Sequence, residues 1–156
     1  MAHETVSIKV ADLLLDQANA RLDDVQDSQP ATYLALAKFN PKYVVALAED
    51  IVDRGMDPLT IPAVVATTDR KRRYRVLEGN RRVLALLALD TPSIVLPALD
   101  GPQRKKLMAL SAAYHEDPIS EIDCVLFDDE EAARHWIEVR HTGVNDGVGV
   151  AGWDSN

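Results

Sequence analysis

Glu78-Gly79-Asn80-Arg81-Arg82 is the stretch whose residue types and spacing point most directly to chemistry. It follows a short β-type segment, Tyr74 to Leu77, and precedes an apolar run, Val83 to Leu89. Asn is a favoured N-cap, so the spacing predicts a helix starting at Asn80, with Arg81 and Arg82 in its first turn. Cations are disfavoured there, because the helix start presents free backbone N–H groups and the positive end of the dipole. Arginines at that end become favourable when an anion such as a phosphate chain lies between them and the helix. Pairing with carboxylates is the plainer account, and the chain has 25 acidic residues to supply them. Gly79, lacking a side chain, lets the backbone approach a ligand closely. Glu78 can orient an arginine, hold Mg²⁺ or polarise a water, which makes it the candidate catalytic residue.

The elements that must position this stretch are readable on either side of it. Thr5 to Val10 alternates as a strand, and the turn after it carries Asn19 and Arg21, for which turn chemistry and a site role stand level. Pro30 to Phe39 reads as a short helix. Asn40-Pro41 opens a second, with Val44, Leu47, Ala48 and Ile51 on one face and Gly55 as its stop. Pro58 and Leu59 follow in a turn, and Thr60 to Ala66 is a strand in which Pro62 suits an edge or a start. A polar hairpin loop with Arg70, Lys71, Arg72 and Arg73 returns to Tyr74; it is a solvated tip or the best local nucleic-acid contact.

Beyond the central helix, Ser93 to Leu99 reads as one extended apolar segment, and Asp100-Gly101-Pro102 opens another helix. Leu107, Leu110 and Tyr114 give that helix its inward stripe, while Arg104, Lys105 and Lys106 face outward. Glu121 to Phe127 is a strand with Cys124 buried in it, and Asp128 with Glu131 forms a capping pair for a last amphipathic helix. The expected fold class is α/β (α+β), a small mixed sheet with helices around it. One domain is expected over residues 1–140, and the Gly-rich residues 141–156 are expected to be a linker to a further region.

Composition narrows the classes. A chain of 156 residues with 47% hydrophobic and 27% charged content can bury one core. The formal charge of −8 argues against a surface that clings to DNA throughout. One cysteine excludes an internal disulfide framework, and the four histidines lack zinc-ligand spacing, so no metal site is expected within the chain. The start has no basic and apolar leader pattern, and the longest apolar run is too short for a bilayer, which makes cytoplasmic the expected location.

Leu77-Glu78-Gly79-Asn80-Arg81-Arg82 followed by an apolar helix resembles the strand–loop–helix signature of the ParB/sulfiredoxin-like superfamily. Asn19-Ala20-Arg21 resembles its earlier Asn-Pro-Arg, with alanine for proline, and the resemblance extends over roughly Val6 to Arg140. It implies that Gly79, Asn80, Arg81 and Arg82, with Asn19 and Arg21 nearby, hold the phosphates of CTP or ATP with Mg²⁺. It also implies that Pro58 and Leu59 approach the base. Sulfiredoxin chemistry is not expected, since Asn80 occupies the catalytic cysteine position. The second phosphate motif of ParB proteins, Glu-Asn followed by Arg, is not matched by His141-Thr142. The function implied is a nucleotide-binding domain, an NTP hydrolase switch acting with DNA and forming a homodimer. A ParB-like nuclease or DNA-binding module, a small-molecule kinase, and an interaction domain without nucleotide remain as alternatives.

Overall fold

Alternation along the strands divides the molecule into two unequal layers. The structure, a computed structural model, describes residues 2–19, 22 and 24–141. The expected linker beyond His141, and Arg21, lie outside the described residues. β1 (His3–Lys9), β2 (Leu13–Leu14), β3 (Ala63–Ala66), β4 (Tyr74–Glu78) and β5 (Glu121–Phe127) form one sheet in the order β1-β5-β3-β4-β2. It is mixed: β1/β5 and β3/β4 are antiparallel, while β3/β5 and β2/β4 are parallel. Val64, Val76, Ile122 and Cys124 face the large core; Val65, Leu77 and Phe127, one residue out of step, face a small cluster on the other side.

α1 (Gln29–Phe39), α2 (Pro41–Arg54), α3 (Asn80–Asp90) and α4 (Gly101–Tyr114) cover the large-core face, and α5 (Glu130–His141) covers the other through Ala133 and Ile137. α3 is apolar nearly all round because α2 and α4 both pack on it; Val83, Leu84, Ala85, Leu86, Ala88 and Leu89 are fully buried. The helix starts follow their caps. Ser28 Oγ accepts from the Ala31 amide at 3.2 Å, Asn40 from Tyr43 at 3.3 Å, and Asp100 from Gln103 at 2.8 Å. The fold is therefore α/β, as expected. No described helix is long and apolar enough to cross a membrane.

Two local expectations are corrected. Residues 93–99 are not extended: they form two 3₁₀ turns, Pro92–Ile94 and Leu96–Ala98, each with proline in its first turn. Their buried residues, Val95 and Leu99, are four apart, a helical rather than a strand spacing. Arg104, exposed as expected, also donates from Nε to the carbonyls of Leu96 and Leu99 at 2.9 and 3.0 Å. The cap of α5 is Asp129, which accepts from the Ala132 amide at 2.8 Å. The Asp128 amide instead donates to Ala2 at 2.9 Å, continuing the β1/β5 ladder past the strand end.

Candidate functional site

The turn between β4 and α3 decides what the first helical residues can do. Gly79 has φ +96° and ψ 17°, the left-handed region that costs a side-chain-bearing residue energy. A Cβ there would stand 3.3 Å from both Cα and Cβ of Pro62. Gly79 is the N-cap residue of α3 and makes no side-chain cap hydrogen bond. The expectation that Asn80 caps the helix is corrected: Asn80 is its first residue, buried, and its side chain points away from the helix start. Its Nδ2 donates to the Val76 carbonyl at 3.0 Å and its Oδ1 accepts from the Asp16 amide at 2.9 Å. Asn80 thus pins β4 to the loop after β2, and Gly79 at the N-cap offers no side chain to the first turn of α3.

That helix start opens into a cleft of about 840 Å³. Asp16 and Asn19 line it from the loop after β2, Leu47 from α2, Gly79 to Arg82 from α3, and Glu130, Ile137, Arg140 and His141 from α5. Arg81 holds its guanidinium 5.6 Å from the centre of the Tyr43 ring. Arg82 lies 3.7 Å from an Asp57 oxygen and 4.0 Å from one of Asp50, and its buried Nη1 has no hydrogen-bond partner among the described residues. The Leu59 amide and Thr60 hydroxyl, at 2.8 and 2.7 Å, and then the Arg82 charge, hold the Asp57 carboxyl below its ordinary value. Carboxylates orient Arg82, as the plainer account has it, on a cleft that it lines.

Across the cleft, Arg75 bridges Asp16 at 3.4 Å and Glu130 at 3.1 Å, joining the β2 loop to α5. His141 Nε2 lies 2.7 Å from Glu78 Oε2. The expected site residues Glu78, Gly79, Asn80, Arg81, Arg82 and Asn19 share this one cleft. Pro58 and Leu59 do not line it; Leu59 is 85% exposed. The basic loop stands at the other end of β4, where Arg70, Lys71 and Arg72 are exposed and Arg73 pairs with Asp69 at 2.8 Å. Sequence reasoning missed Asp16, Glu130, Arg140 and His141. The available signal was the basic last turn of α5, which reads as ordinary dipole compensation until the fold aims it at the cleft.

No group of three or more potential ligands is placed to hold a metal among the described residues. Cys124 is buried, and burial, with the nearby Asp123 charge, pushes its thiol up to about 12, far from a nucleophile's range. Comparison with protein-family models, curated proteins and solved structures gave no match for the chain. What fold and geometry define is an α/β domain with an arginine-lined cleft at a helix start whose N-cap is glycine.

Proposed function

We propose that this chain is a nucleotide-binding domain of the ParB/sulfiredoxin-like kind, holding the phosphate chain of CTP or ATP at the start of α3. The observation that carries the reading is that helix start, opened by the left-handed Gly79, with Arg81, Arg82 and Arg140 lining the cleft around it. Backbone N–H groups and a positive dipole end suit an anion, and arginines suit phosphate oxygens in particular. The cleft volume falls in the range of small-molecule sites, roughly 300–1,000 Å³. Mg²⁺ arriving with a nucleotide keeps most of its water and needs only one or two protein carboxylates, for which Asp16 and Glu78 line the cleft.

Within this reading Gly79 gives the phosphates close access to backbone, and Arg81 and Arg82 neutralise their charge. Asn80 contributes its amide while its side chain holds the floor together. Asn80 in the position of a catalytic cysteine, and the inert Cys124, weigh against sulfiredoxin chemistry. Hydrolysis with Glu78 as its carboxylate, coupling to DNA and nucleotide-dependent dimerisation extend this proposal. Calorimetric titration with CTP, ATP and GTP, each with Mg²⁺, tests the binding. The expected result is selective binding that weakens about 100-fold in Arg81→Ala/Arg82→Ala, as loss of charge-assisted contacts requires. Binding of none of the three overturns the reading.

A further inference from the structure

Resting on this phosphate reading, we propose that His141 is a further anion ligand of the cleft, held in reserve by Glu78. The contact between His141 Nε2 and Glu78 Oε2, 2.7 Å, joins residues 63 positions apart, so the fold rather than local helix geometry makes it. Both side chains line the cleft and neither is buried, at 44% and 31% exposure. A pair so open to water contributes little to stability, so a structural role leaves its placement at the cleft mouth without a reason.

Helix electrostatics account for a cation in the last turn of α5, where the dipole is negative, but not for where it points. Arg140 and His141 both reach the cleft, and among the described residues Arg140 has no ion-pair partner. Glu78, immediately before Gly79, carries the wrong charge for a phosphate at the start of α3. The imidazole of His141 engages that carboxylate at 2.7 Å. A phosphate chain, with more oxygens and more charge than one carboxylate, competes with Glu78 for the imidazole. The other charged groups facing the pair are Asp16 from the β2 loop, Arg81 and Arg82 from α3, and Glu130 and Arg140 from α5. Asp16 and Glu130 are tied to Arg75, which leaves Glu78 as the cleft carboxylate that competes for His141.

The two partners therefore act in opposite directions. Glu78→Gln removes the competitor and the repulsion; His141→Gln removes a ligand and leaves Glu78 uncompensated. The test is titration of the full chain with inorganic tripolyphosphate without Mg²⁺, with folding of each variant checked by thermal unfolding. The expected result is binding about fivefold tighter in Glu78→Gln and about tenfold weaker in His141→Gln, the size of one hydrogen bond to a charged group. Should His141→Gln fail to fold, the sign of the Glu78→Gln change decides alone. Wild-type binding that Glu78→Gln weakens or leaves unchanged overturns this inference and leaves the nucleotide reading standing. No binding by wild type or Glu78→Gln overturns both.

Discussion

At one end of β4, Arg70, Lys71 and Arg72 stand on the loop that arrives from β3; at the other, Arg81 and Arg82 stand on the first turn of α3. Both places concentrate basic side chains, yet their surroundings differ. The loop residues are exposed, so water screens each charge and side-chain freedom is kept. The α3 arginines sit in a concavity at a helix start, one against Tyr43 and the other held toward Asp50 and Asp57. Concavity and a helix terminus, not the number of arginines, distinguish the proposed site from the exposed loop.

The largest expected effect that breaks the contrast comes from Gly79→Val. A β-branched residue at φ +96°, meeting Pro62 at 3.3 Å, should cost about 2–3 kcal/mol in denaturant unfolding and abolish nucleotide binding. Asn80→Ala comes next, at about 2 kcal/mol, because the Asp16 amide and Val76 carbonyl lose a buried partner. A smaller effect is set by pH. The Asp57 carboxyl is held below its ordinary value of 3.8, so its stabilisation is fully present above that value and is lost as pH falls through the lowered one. Asp57→Asn should accordingly lower the melting temperature at neutral pH, with the gap to wild type closing in strong acid. The smallest effect sharpens the comparison from its other side. Arg70→Ala/Lys71→Ala/Arg72→Ala should change nucleotide affinity less than about twofold, since exposed charges beyond a Debye length are screened.

How far the sequence carried this picture depends on the range of each signal. The α3 start, the mixed sheet and the buried Cys124 follow from short-range patterns of period and turn chemistry, and they appear as expected. Asn80 shows where such patterns fail. Its type fits a cap, but Gly79 takes the cap position and the asparagine answers two backbone groups from other elements. Residues 93–99 misled for a related reason, since an apolar run has no period of its own until prolines and burial impose one. His141 could not be joined to Glu78 from sequence, because that contact depends on where α5 crosses the sheet.

The central claim is that a nucleotide's phosphates lie on the amides that open α3. Titration of ¹⁵N-labelled protein with CTP or ATP, followed residue by residue by NMR, tests it most directly. The account predicts the largest amide shifts at Gly79, Asn80, Arg81 and Arg82, with Arg70, Lys71 and Arg72 unmoved. Shifts centred on the 70–73 loop, or no saturable shift at 79–82, would contradict it.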